Sequence, residues 1–276
     1  MVKIAQTIVA GTSEYERKAQ RIDFAGLSAA HEVTLVEPGG LRSAYADVVH
    51  IYGPSHLSGS VVKGLAAPFV TNSEVSASRF SWRKPPQPAF IISWDLVPEA
   101  VEEKWFEWSA AGRGGDVEEK AAAAALHRIG TFDNGRRGVR NMIEQTLSRI
   151  HRFRDDVAWR TFAQPPSPED LTGVDVWVDP ATSDADLDGF VAEAFVAGTP
   201  LVASRTLINV HRLEKARCGF LVPVEDPNEL GHAILTALFK PEVARLKIQA
   251  ARQTVGKFRP RHRLRVLERM YETLIP

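Results

Sequence analysis

Asp175-Val-Trp-Val-Asp-Pro180, Asp188-Gly-Phe-Val-Ala-Glu-Ala-Phe-Val-Ala-Gly-Thr-Pro-Leu-Val-Ala-Ser204 and Gly219-Phe-Leu-Val-Pro-Val-Glu-Asp-Pro-Asn-Glu-Leu230 are the three blocks that decide the fold. In the first, Val174 to Val178 is a short apolar run, and the strand it predicts stops at Pro180. In the second, Phe190 to Ala197 reads as a helix closed by Gly198, and Leu201 to Ser204 as the strand that follows. The third supplies a strand at Gly219 to Pro223 and a helix at Pro227 to Phe239. Short, continuous apolar strands that alternate with helices imply a parallel sheet covered on both faces.

The same alternation extends upstream. Arg137 to Phe153 reads as a helix, Val157 to Phe162 as a strand and Pro165-Pro-Ser-Pro as a loop. Ala121 to Ala125 favours helix but runs unbroken into Leu126-His-Arg-Ile-Gly130, so the helix-to-strand boundary there stays open. Nearer the start, 2–10 reads as a strand, 14–30 as a helix, and His31 to Val36, Ala46 to Tyr52 and Pro68 to Thr71 as further strands. A helix is expected near 56–66, a loop from Arg79 to Pro88, a brief strand at Phe90 to Ser93 and a helix at Pro98 to Trp108. Ala111-Gly-Arg-Gly-Gly-Asp116 reads as a flexible boundary, and the C-terminal stretch as helical with a break at Pro260. The expected architecture is α/β, with two Rossmann-like domains, 1–111 and 112–256, facing across a cleft, where ligands usually bind.

Composition narrows the function classes. The chain has 276 residues, 44% hydrophobic and 25% charged, which is globular rather than disordered. Lys and Arg total 34 against 34 Asp and Glu, and zero net charge argues against a dedicated nucleic-acid binder. Even the apolar stretch Gly189 to Ser204 is interrupted by Glu193, Gly198 and Pro200, so no membrane span is expected. The N-terminus reads directly into a strand without the pattern of a signal peptide, which favours the cytoplasm. The single cysteine, Cys218, excludes an internal disulfide and a cysteine-rich zinc site, and with no base beside it reads as a buried thiol.

The three opening blocks resemble the donor-binding half of the GT-B glycosyltransferases of family 4, which typically read Asp-Val-Phe-Val-x-Pro-Ser, Glu-Gly-Phe-Gly-x-x-x-x-Glu-Ala-x-Ala-x-Gly-x-Pro-Val-Val-Ala-Ser and Gly-Leu-Leu-Val-x-x-x-Asp-Pro. Gly130-Thr-Phe-Asp-Asn-Gly-Arg-Arg-Gly-Val139 is similar to the family's Gly-Arg-x-x-x-x-x-Lys-Gly-Val, whose cations clamp the donor diphosphate. Arg137 takes the Lys position and Thr131 replaces the Arg. His31-Glu-Val-Thr-Leu-Val-Glu-Pro-Gly and Asp47-Val-Val-His-Ile-Tyr-Gly-Pro look like strands of an acceptor domain, here shortened. The segment 257–276 resembles the terminal helix that returns to that domain.

The resemblance implies a retaining hexosyltransferase that uses a nucleoside diphosphate sugar and a glycan, lipid or small-molecule hydroxyl acceptor, with no cofactor and no metal. Arg137, with Arg136 and Thr131, would hold the diphosphate, and Glu193 the ribose. The residue types suit that task, because phosphate oxygens need cations and a ribose diol suits a carboxylate. Arg136, Arg137 and Arg140 also fit a solvated helix start, and Glu193 an ordinary helix N-terminal charge. The family's first Glu falls on Ala185, which leaves Asp184, Asp186 and Asp188 as candidates for the sugar-contacting carboxylate. Glu74 stands where many members present a His, and is either a base or a strand end, while His50 reads as structural. The family's Gly-Gly-x-Pro-Glu stretch falls on Leu207-Ile-Asn-Val-His211, where Leu207 and Ile208 should fill the room that glycine leaves for a phosphate.

Two further features allow alternatives. Phe80, Trp82, Trp94, Trp105, Phe106 and Trp108 suit core packing, an acceptor platform or a dimer interface. Lys257, Arg259, Arg261, Arg263 and Arg265 suit a solvated helix face or a lipid-surface contact. The altered donor positions and short acceptor domain also permit a second function class: a catalytically inactive GT-B-like scaffold that acts through a protein partner.

Overall fold

Apolar strands and amphipathic helices alternate along the chain as parallel pairing requires. The computed structural model describes residues 1–9, 12, 14–52, 65, 67–71, 90–91, 106–107, 126–132, 135–183, 190–214 and 217–275. Two compact units divide it: Met1–Ala100 with Pro260–Pro276, and Val101–Arg259. The first contains β1 (Lys3–Ile8), α1 (Glu14–Leu27), β2 (Glu32–Leu35), a 3-10 turn (Pro38–Ser43), β3 (Val48–Tyr52), β4 (Phe69–Thr71) and β5 (Phe90–Ile91). In the second, β6 (His127–Phe132), α2 (Arg137–Ile150), β7 (Val157–Phe162), α3 (Pro168–Thr172), β8 (Val176–Asp179), α4 (Val191–Ala197) and β9 (Leu201–Ser204) follow in order. It continues through α5 (Leu207–Leu213), β10 (Phe220–Val222), α6 (Pro227–Phe239), α7 (Pro241–Thr254) and a 3-10 turn (Val255–Phe258), and α8 (Pro260–Leu274) belongs to the first unit.

Strand order is β2-β1-β3-β4-β5 in one sheet and β10-β9-β8-β6-β7 in the other, and every pairing is parallel. The second sheet lays Ile129, Val176, Val178 and Val202 against Met142 and Ile150 of α2 and Leu230, Ile234 and Leu238 of α6. Its other face buries Trp177, and Gly130 makes room for that indole. A Cβ at position 130 would lie 2.9 Å from both Trp177 Cε3 and Val174 Cγ1, closer than real contacts allow. Gly198, in the left-handed region at φ 72°, closes α4. Asp226 caps α6 by accepting from the backbone N–H groups of Asn228 and Glu229, each at 3.0 Å.

In the first unit, Ile4, Val48 and Val70 pack with Leu27 of α1 and Leu267, Met270 and Tyr271 of α8. A Cβ on Gly26 would collide with the Leu264 side chain, so glycine sets the close approach of α1 and α8. Beneath that contact lies a buried ion pair. Arg263 Nε and Nη2 donate to Asp23 Oδ1 and Oδ2 at 2.6 and 2.7 Å, and Arg263 and Asp23 are 1% and 0% exposed. Tyr52 OH donates to Asp23 Oδ2 at 2.7 Å, and His50 Nδ1 lies 2.6 Å from Tyr271 OH. His50 stacks on Tyr52 with ring centroids 4.1 Å apart, which bears out its structural reading.

That pair corrects one expectation: Arg263 leaves the basic run and joins the core, so the run is not one solvated face. The strand in the segment that stayed open begins at His127. Phe106 is buried with the Arg259 guanidinium 4.4 Å from its ring centroid, which supports packing for that member of the aromatic cluster. The other five aromatics, the expected helices near 56–66 and at 98–105, the loop 79–88 and the boundary 111–116 lie outside the described residues.

Candidate functional site

The second sheet has a topological switch point between β6 and β8, because the chain leaves β6 towards β7 and leaves β8 towards β9. In open parallel sheets, the crevice beyond the carboxyl ends at such a point is where ligands bind. Three predicted residues lie along the chain on the β6 side of it. Thr131, in β6, is fully buried, and its hydroxyl makes no hydrogen bond among the described residues. Arg136 occupies the N-cap of α2 and Arg137 its first helical position.

This helix start is unusual. Its N-cap residue, Arg136, makes no side-chain capping bond and its first turn contains no acidic residue, although the N–H groups of a helix start favour anions. Arg137 is exposed and makes no ion pair among the described residues, and Arg140 follows one turn later. Gly135, at φ 76°, turns the chain into the helix. The Gly138 backbone lies against the segment after β8: a Cβ there would sit 3.3 Å from Thr182 Cγ2.

Glu193 lies on α4, the helix that leaves the other side of the switch point. It is an acidic residue in the first turn of α4, as the helix N-terminal reading had it, and it is buried there, 2% exposed. Asp184, Asp186, Asp188 and Glu74 lie outside the described residues.

A polar chain that sequence reasoning missed runs beside β8. Asn209 Nδ2 donates to Asp179 Oδ2 at 3.0 Å and to the Ser204 carbonyl at 3.1 Å, and Arg212 Nη1 lies 3.5 Å from Asn209 Oδ1. All three side chains are buried: Asp179 ends β8, and Asn209 and Arg212 stand one turn apart on α5. The available signal was a charge at the end of the apolar run Val176-Trp-Val, where burial demands a partner. Where glycines were expected to matter, Thr206 caps α5 by accepting from Asn209 N–H, and Leu207 does not fill a pocket but is 68% exposed. Cys218 is buried against the Arg212 carbonyl, and burial pushes its thiol up to about 11, so it stays protonated and unreactive near neutral pH.

No group of histidine, cysteine and carboxylate side chains among the described residues is arranged to hold a metal ion, and no described helix is long and apolar enough to cross a membrane. No family model matches the sequence. No curated protein matches it either.

Solved structures do match. Sucrose-phosphate synthase from Thermosynechococcus elongatus superposes with a TM-score of 0.66 over 99% of each chain at 14% identity. HepE of Anabaena, solved in complex with UDP and glucose, gives 0.65 over 99% of this chain and 100% of its own at 11% identity. A glycosyltransferase from Rickettsia africae gives 0.61 over 99% and 98% at 12% identity. At such identities the likeness speaks for architecture alone, and the architecture of this chain is the α/β GT-B fold of those glycosyltransferases.

Proposed function

We propose that this protein is a retaining glycosyltransferase of the family 4 type, moving a hexose from a nucleoside diphosphate sugar to a hydroxyl acceptor. One observation carries the reading: a helix start that bears Arg136 and Arg137 and no acidic residue in its first turn, and a buried carboxylate, Glu193, flank one switch point. A diphosphate satisfies the first and a ribose diol the second.

On this reading Arg137 and Arg136, with the first N–H groups of α2 and the Thr131 hydroxyl, hold the diphosphate, and Glu193 accepts from the ribose hydroxyls. The sugar rests against Asp186 and Asp188. The bond from the anomeric carbon to the diphosphate breaks as the acceptor oxygen forms its own bond on the same face. The acceptor proton passes to the departing phosphate oxygen; Glu74, the other base the sequence offers, would take it in that oxygen's stead. Cationic side chains stabilise the charge that builds on the leaving group, the role a metal fills in other transferases. A nucleotide sugar bound in complexes of HepE, a protein of the same fold, supports the donor class.

Calorimetry with UDP, GDP, TDP and ADP, then with their sugar conjugates, tests the proposal. One nucleotide should bind at micromolar affinity, and Arg137→Ala should weaken it by about 1.5–3 kcal/mol, the worth of a hydrogen bond to a charged group. Glu193→Ala should weaken the nucleoside diphosphate but not free pyrophosphate. Silence across the panel from a cooperatively folded protein overturns the transferase. It would favour the inactive scaffold, a reading to which the helix at Leu207–Leu213, in place of a glycine-rich phosphate loop, already lends support.

A further inference from the structure

A cavity of about 540 Å³ opens along β10, the edge strand of the second sheet, two strands away from the switch point. Arg217, Phe220, Glu229, His232, Thr236 and Lys247 line it, and the Arg205–Glu214 ion pair, at 2.7 Å, closes part of its wall. Arg217 and Lys247 make no ion pair among the described residues, and the Lys247 ammonium stands 5.6 Å from the Phe220 ring centroid. The lining therefore offers two cations without carboxylate partners among the described residues.

Backbone geometry marks the same place. Arg217 holds φ at 53°, in the left-handed region that favours glycine. Keeping a long cationic side chain at such a position costs stability, and such outliers gather at functional sites. An extended peptide is a poor occupant, because β10 has three residues and Pro223, next along the edge, lacks an N–H to donate.

We propose that this cavity binds a monophosphorylated sugar. Arg217 and Lys247 take the phosphate as charge-assisted donors. The Glu229 carboxylate accepts from sugar hydroxyls, His232 and Thr236 supply further polar contacts, and Phe220 offers an apolar face to the C–H side of a pyranose. A bare phosphate leaves Glu229 unused, and a neutral sugar leaves both cations unused, so the two chemistries must arrive on one molecule. The site stands on the sheet edge and does not rest on the donor assignment at the switch point.

The test is calorimetry of the full chain with glucose 6-phosphate, inorganic phosphate and glucose as probes. Glucose 6-phosphate should bind more tightly than either fragment. Arg217→Gly, which removes a cation at a position where glycine is comfortable, and Lys247→Glu should each weaken it by about tenfold or more. Arg137→Ala should leave it unchanged. Absence of binding at millimolar glucose 6-phosphate, equal affinity in wild type and Arg217→Gly, or loss through Arg137→Ala alone would each overturn the proposal. The last would move the ligand to the switch point. Should Lys247→Glu fail to fold, Arg217→Gly decides alone.

Discussion

Both units repeat one topology, in which the first strand of each sheet lies between the second and the third and the fourth and fifth extend beyond, yet their arginines do opposite things. In the first unit Arg263 is buried on both carboxylate oxygens of Asp23, with Tyr52 on the same carboxylate and Tyr271 against His50. In the second, Arg137 is exposed at a helix start with no acidic residue in its first turn, without an ion-pair partner among the described residues. The sheet does not dictate what a charge is for. A buried guanidinium is tolerated only when its partners are fixed in place, so it ties α8 to the first unit. An exposed one on the positive end of a helix dipole works against the helix unless an anion arrives.

Arg263→Ala should produce the largest effect. It leaves Asp23 charged and buried without its partner, and urea unfolding should show a loss of about 3–5 kcal/mol. The paired replacement Arg263→Met with Asp23→Leu should cost less than the single change, because it removes both charges together. A single-variant loss below about 1 kcal/mol would put Arg263 on the level of a surface pair and erase the contrast between the units.

The tyrosines of that cluster give a smaller effect with a pH signature. Burial, and then the negative charge of Asp23, hold the Tyr52 and Tyr271 hydroxyls well above the usual tyrosine range. Raised folded pKa values mean that the folded state keeps these protons while the unfolded chain releases them near about pH 10. Their contribution is therefore complete below that value and is lost as pH rises beyond it. Stability should fall in alkali, and Tyr271→Phe should flatten the fall while costing about 1 kcal/mol at neutral pH through the lost hydrogen bond to His50. An identical alkaline slope in the variant would remove Tyr271 from the account.

Local signals made much of the second sheet legible. Val157 to Phe162, Leu201 to Ser204 and Pro227 to Phe239 begin and end where an apolar run or a helical period starts and a Pro, Gly or polar break stops it. The short helices α3 and α5 escaped because their starts are fixed by side chains, Ser167 and Thr206, rather than by any period. The Asp23–Arg263 pair escaped for another reason. Its partners stand on helices at opposite ends of the chain, and an arginine in a basic run looks solvated until the partner helix is in place. Arg136 and Arg137 could be singled out because the family pattern that Gly130 to Val139 resembles lies in one short stretch of chain. The chain Asp179, Asn209 and Arg212 was not, since it exists only where a strand end meets a later helix.

The smallest expected effect is also the one with the opposite sign. Removing the charge of Arg137 takes a cation away from the positive end of α2, so Arg137→Ala should raise stability by about 0.3–1 kcal/mol at low ionic strength, and the gain should fade with added salt. Alanine's higher helix propensity adds only slightly at a first helical position. Thermal unfolding at low and high salt separates the two contributions, because propensity does not respond to ionic strength. A salt-dependent gain would mean that the residue is retained against the interest of the fold, as expected for a group whose partner is a bound anion. A loss of stability would mean that Arg137 is held by the protein itself, and the two arginines would then differ in burial without differing in purpose.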